Sequence, residues 1–128
     1  VVISVIGILA ALLMANFAGV RDRAEDAKIK NNMKQLQTAL RLYYNDNQSY
    51  PGTNTTATCS SLGLSSYIST NDLPAKCYYY RPTSDTFTAC AQITNTADMD
   101  REALADRCVT EPSMNAVFVT NYFCVCSN

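Results

Sequence analysis

Twenty residues without a single charge open the chain. Residues 1–20 read VVISVIGILAALLMANFAGV, with Ser4 and Asn16 as the polar side chains and Arg21 as the first ionic one. About twenty such residues in a helix are enough to span a bilayer. A helix apolar on every side cannot lie on the surface of a soluble domain with one face in water. No basic stretch precedes the run and no Ala-x-Ala site closes it, which speaks against a cleaved secretory signal. A single hydrophobic anchor fits better than a buried core helix at this length. The sharper expectation is an anchor that later becomes a protein–protein surface, built by Val1, Val2, Ile3, Val5, Ile6, Ile8, Leu9, Leu12, Leu13 and Phe17. The chain does not open on Met, so further residues upstream are expected.

After Arg21 the pattern changes. Ile29, Met33, Leu36, Leu40 and Tyr43 recur with spacings of 4, 3, 4 and 3, one apolar stripe of an α-helix that predicts packing against a head. Arg23, Lys30, Lys34, Gln37 and Arg41 mark the other face, and Asp26 stands four residues before Lys30 in the favourable order for a helix pair. No proline or glycine interrupts residues 20–50, and Asn45-Asp46-Asn47 followed by Tyr50-Pro51-Gly52 supplies the stop. Nothing breaks the helix between its two halves, so one rod from residue 1 to about 45 is predicted, roughly 65–70 Å long at 1.5 Å per residue.

The segment VVISVIGILAALLMANFAGVRDRAEDAKIKNNMKQLQTALRLYYNDNQSYP resembles the N-terminal helix of type IV pilins and of the related pseudopilins of type II secretion. The resemblance is carried by the VVISVIGILAALL run, the Ala/Asp/Arg/Lys-rich stretch behind it and the ALRLYYNDNQSYP ending. Processed members of that family begin with a Phe-Thr-Leu-Ile-Glu-like segment just ahead of the part that starts here. Its glutamate neutralises a neighbouring subunit's amino terminus, and no residue of this sequence matches it. Ala15 stands near the place where many pilins carry a helix-weakening proline. Here Gly7 alone favours melting, by about 1 kcal/mol relative to alanine.

From Gly52 onward the composition shifts to Ser, Thr, Asn, Cys and Tyr. One helical turn is predicted around residues 62–68, and strands over 77–81, 86–93 and 116–126. Pro82-Thr83-Ser84-Asp85 reads as the turn between the first two. Alternation places Phe87, Ala89, Ala91 and Ile93 on one face, and Val117, Val119, Asn121, Phe123 and Val125 on another. KCYYYRPTSDTFTACAQI also looks like the hairpin of a pilin head. The implied fold is α+β, a long helix with a hydrophobic first half packed on a small antiparallel sheet. Residues 1–20 form the transmembrane or filament-core half, 21–50 the amphipathic half and 51–128 the head.

All six cysteines, Cys59, Cys77, Cys90, Cys108, Cys124 and Cys126, lie in that head. Beside an export-type anchor they indicate an oxidising compartment and three structural disulfides. Fifteen pairings are open; Cys59 and Cys77 flank one loop as a plausible local pair, and Cys124 and Cys126, on one strand face, are expected to take different partners. No Cys-x-x-Cys pair and no histidine is present, which argues against zinc. The missing histidine also removes a His-based triad and a histidine pH switch. Asp98, Asp100 and Glu102 alternate with Met99 and Arg101. They suit either the acidic face of a short helix or clustered oxygens for calcium, an ion that heads of secretion pseudopilins can hold.

Residues 1–50 carry six basic and four acidic side chains and residues 51–128 four and seven, so a basic stem sits under an acidic head. With a net charge of −1 nucleic acid is not indicated as a partner, and no cofactor and no catalysis are expected. The resemblance implies a structural subunit, in the first instance the major pilin of a type IV pilus serving adhesion or motility. Copies of itself in a helical filament would be its partners, with the inner or cytoplasmic membrane holding it before assembly and the cell surface displaying it after. A type II secretion major pseudopilin is the alternative within the family. A monomeric, membrane-anchored extracellular binding module is the alternative outside it.

Overall fold

The computed structural model of the chain describes residues 2–53, 55–98, 108 and 121–127. Its spine is α1, Val2–Asn47, 46 residues without a break and therefore about 69 Å long at 1.5 Å per residue. The helix runs two residues past the predicted stop. Gln48 then turns left-handed at φ 56°, and its amide donates to Tyr44 O at 2.7 Å, which satisfies one of the last-turn carbonyls as a left-handed cap does.

Four antiparallel strands follow in spatial order β1-β2-β3-β4: Ala57–Thr58, Cys77–Thr83, Thr86–Gln92 and Tyr122–Cys126. The alternation predicts three strands; β1 is too short to show a period, and it forms by pairing Ala57 with Tyr79 and Thr58 with Tyr78. The turn in the β2–β3 hairpin is shorter than predicted, because Pro82 and Thr83 still belong to β2. A register shift between Tyr80 and Thr83 is the irregularity that accommodates a residue without an N–H. The described part of the last predicted strand is β4, Tyr122–Cys126. Asn121 sits at φ 70°, a left-handed conformation that asparagine tolerates and a strand excludes. Val117 and Val119 lie outside the described residues. The predicted helical turn falls at residues 64–68, where the amides of Tyr67 and Ile68 both donate to Leu64 O.

The sheet runs along the second half of α1. At its lower end Cys77 Sγ lies 3.6 Å from Met33 Sδ. At its upper end the hairpin meets the end of the stem, with Tyr50 N donating to Ser84 O at 2.9 Å and Arg81 Nη1 to Tyr50 O at 2.9 Å. Between them Met33, Leu36 and Leu40 are fully buried against Tyr79, Phe87, Ala89, Phe123 and Val125, with Ile29 and Tyr43 half-buried at the edge. Phe87 stacks on Tyr79 at 6.0 Å and takes Tyr50 edge-on at 4.6 Å.

Two charged positions differ from the sequence expectation. Asp26 belongs to the interface and not to the surface: it is 2% exposed and accepts the amides of Thr94 at 2.7 Å and Asn95 at 2.6 Å. Lys30 is likewise drawn inward. It forms an ion pair with Asp98 and lies 5.7 Å from the Phe123 ring centre. Gln37 leaves the predicted solvent face as well, donating Nε2 to Cys126 O at 2.8 Å. Each of these bonds reaches across 68 to 89 residues of sequence, and helix periodicity carries no trace of them.

Three disulfides join Cys59 to Cys77, Cys90 to Cys124 and Cys108 to Cys126. The outer face of the sheet carries a second buried layer. Cys90, Cys108 and Cys124 are buried there beside Tyr78, Tyr80 and Tyr122, and Thr88 Oγ1 donates to Cys108 O at 3.0 Å. This second layer is why every residue of β3 from Phe87 to Ala91 is buried.

Tyr79, 1% exposed, donates its hydroxyl to Pro51 O at 2.9 Å, and burial pushes its phenol well above the ordinary tyrosine range. A phenol with a raised folded-state pKa adds stability that is complete below the unfolded value near 10. That stability is lost as pH climbs towards the folded value, because the unfolded chain then ionises first. The thermal midpoint is therefore expected to fall above about pH 10. The Tyr79→Phe variant should start about 1 kcal/mol less stable at neutral pH and fall with a shallower alkaline slope in a pH series of melts.

Candidate functional site

Among the described residues, most large apolar side chains of the head are buried or half-buried, whereas the first half of α1 buries none. Val2, Ile3, Val5, Ile6, Ile8, Leu9, Leu12, Leu13 and Phe17 are each between 53% and 86% exposed. Val1 lies outside the described residues. Met14 at 77% and Val20 at 62% belong to the same apolar run and extend the surface beyond the expected residues. A Cβ built on Gly7 or Gly19 would meet nothing within 4 Å, so close approach is possible at both positions.

This segment folds as a helix because Ala, Leu and Met favour it and no proline intervenes. It stands clear of the head because the sheet meets α1 only from about Asp26 onward. The helix is long and apolar enough to cross a membrane. Removing each large side chain from water is worth about 1.5–3 kcal/mol, and none of the described residues of the head supplies that burial. Lipid or other helices can. The arrangement offers lipid or other helices an exposed apolar rod.

The five stripe residues, Ile29, Met33, Leu36, Leu40 and Tyr43, all meet the head, and all six cysteines are bridged. Of the acidic alternation, Asp98 is half-buried and paired with Lys30, while Asp100 and Glu102 lie outside the described residues. Among the described residues no group of three or more His, Cys, Asp or Glu could hold a metal ion. Leu42, 49% exposed, was not expected at all, since it falls off the 4-3-4-3 stripe.

Comparison with known proteins adds to this geometry. The chain is 35% identical over 80 residues to the type II secretion system core protein G of Klebsiella michiganensis, an alignment covering 62% of this chain and 51% of that protein. It is 36% identical over 74 residues to the protein of the same name from Escherichia coli, covering 58% and 46%. The relatives support the pilin and pseudopilin family. The match to the counterpart from Aeromonas hydrophila, 40% over 53 residues, covers 41% of this chain and 37% of that protein. The chain thus spans about half the length of the curated relatives it matches. No family model matches it, and no solved structure does either. The pilin-like α+β architecture therefore rests on this structure: a helix with an apolar first half, followed by a small antiparallel sheet with disulfides.

Proposed function

We propose that the chain is a filament subunit of the type II secretion pseudopilus kind, held in the membrane by the first half of α1 before assembly. The observation that carries this reading is the apolar half of α1, exposed at every described position and continuous with a second half fixed in a disulfide-pinned head. In the filament the same side chains leave lipid for neighbours' helices. Such a contact joins unlike patches on successive copies, does not close, and so propagates helically. The work is mechanical and no residue is assigned a chemical step. Relatives named for a secretion system favour the secretion reading over the type IV pilus expected first.

The two readings part on deletion of the gene in its native cell. Loss of folded proteins from the medium with surface fibres intact supports the secretion reading. Loss of surface fibres with secretion intact supports the pilus. A membrane fraction holding only monomers, under conditions of full expression, would overturn both.

A further inference from the structure

A cleft of about 780 Å³ opens between α1 and the lower end of the sheet. Glu25 and Lys28 stand on its helical side, Asp72 and Lys76 on the segment that leads into β2, and Gln92 and Thr94 at the exit of β3. Asn32, on the same wall as Lys28, donates to Asp72 O and so holds that segment beside the stem. The four charges sum to zero, and all four residues are exposed. Lys28, Lys76 and Asp72 form no ion pair among the described residues, and Glu25 has only a loose one with Arg21 at 3.6 Å. Opposite charges gathered in one cleft without pairing to each other suit a ligand that carries both signs. No aromatic side chain lines the cleft among the described residues, so it lacks the cage that a quaternary ammonium favours. Its carboxylates and carboxamides accept hydrogen bonds, which a primary ammonium donates and a quaternary one cannot.

Position decides among ligands of that kind. The charges begin at Arg21, so a membrane-held chain has the edge of the hydrocarbon at about Val20. Glu25 and Lys28 stand about 7.5 and 12 Å beyond Val20 at 1.5 Å per residue, and the headgroup layer is about 5–7 Å thick. Helical side chains lean towards the N-terminus, and a lysine lays its stem along the protein while its ammonium reaches the charged layer. The lower rim of the cleft therefore meets the headgroups. We propose that this cleft binds the phosphoethanolamine headgroup of a membrane phospholipid, with Lys28 and Lys76 on the phosphate and Glu25 and Asp72 on the ammonium. The inference rests on the membrane-anchored reading and adds a ligand to it. A lipid held there fixes the depth and the rotation at which the head sits on the bilayer before assembly.

The test reconstitutes the full chain in vesicles of phosphatidylcholine alone, of phosphatidylcholine with equal phosphatidylethanolamine, and of phosphatidylcholine with equal phosphatidylglycerol, and reads amide hydrogen exchange. Phosphatidylethanolamine is expected to slow exchange over residues 71–76 roughly tenfold relative to phosphatidylcholine alone, the factor for a site about nine-tenths occupied, and phosphatidylglycerol is not. Lys28→Gln combined with Lys76→Gln, and separately Asp72→Asn, are expected to remove the difference and leave the thermal midpoint in place, since these residues are exposed. Equal exchange in the three vesicles would overturn the site and leave membrane anchoring standing. Slowing by phosphatidylglycerol that equals or exceeds that by phosphatidylethanolamine would do the same, by reducing the effect to attraction between lysines and any anionic surface. Equal slowing by soluble phosphoethanolamine, added to the phosphatidylcholine vesicles, would overturn the bilayer as the source of the ligand. A chain that floats with none of the vesicles would overturn the anchoring as well.

Discussion

Removal of residues 1–20 is expected to abolish membrane association and polymerisation together, while the remaining chain melts at the same temperature as the intact one. No large side chain among the described residues of that segment is buried, so its loss deletes no contact from the folded core. At about 1.5–3 kcal/mol per large side chain, the exposed residues hold tens of kcal/mol of transferable burial, more than any screened surface pair could replace. The expected size is therefore complete loss of assembly and not a shift in affinity. Analytical ultracentrifugation gives the oligomeric state, and calorimetry with the three disulfides intact gives the midpoint. A truncated chain that still polymerises would move the assembly surface onto the head. A midpoint lowered by more than a few degrees would mean that the apolar half supports the head in a way its exposure does not suggest. Single substitutions such as Phe17→Arg grade the same effect, because a charge in either lipid or a helix bundle is costly.

How much of this was legible beforehand follows from the range of each signal. Helix periodicity is local, and it identified both halves of α1, the stripe from Ile29 to Tyr43 and the continuity between them. Pairing distances are not local. Asp26 read as a partner for Lys30 because the two are four apart, yet its oxygens meet amides 68 and 69 residues away. Alternation in β3 predicts one buried face and the strand has two, because the second is sealed by a disulfide layer around Cys108 that no period in Thr86–Gln92 encodes. Cysteine count gave three bridges and the flanked loop pointed to Cys59 with Cys77; the other pairings waited on the strands, since Cys90 and Cys124 bond where β3 and β4 set them directly opposite each other. Leu42 was passed over for the converse reason: the stripe that marks what the head covers is silent about what it leaves bare.

Asp26→Ala is expected to be the most damaging single change in the stem that leaves the apolar core intact. The native carboxylate, 2% exposed, accepts two backbone amides at 2.7 and 2.6 Å. Those amides belong to Thr94 and Asn95, where the chain leaves β3, so Asp26 ties the lower end of the sheet to α1. Hydrogen bonds to a charged group contribute about 1.5–3 kcal/mol each, and a buried donor left unpaired costs a further 1–3 kcal/mol unless water reaches it. A loss of about 3 kcal/mol follows as the moderate case. For a domain of this size that lowers the thermal midpoint by roughly 10–20 °C. Asp26→Asn keeps the shape and one acceptor, and is expected to recover about half of the difference. Leu36→Ala gives the scale for comparison, since a fully buried leucine truncated in a packed core costs about 2–5 kcal/mol. Lys30 and Asp98 pair beside this clamp and reinforce the same end of the sheet. Melting of Asp26→Ala within 2–3 °C of the unaltered chain would show that the two amides find water at no cost and that the lower end of the sheet is held by its other contacts, the Lys30–Asp98 pair and the packing of Ile93 and Phe123 among them.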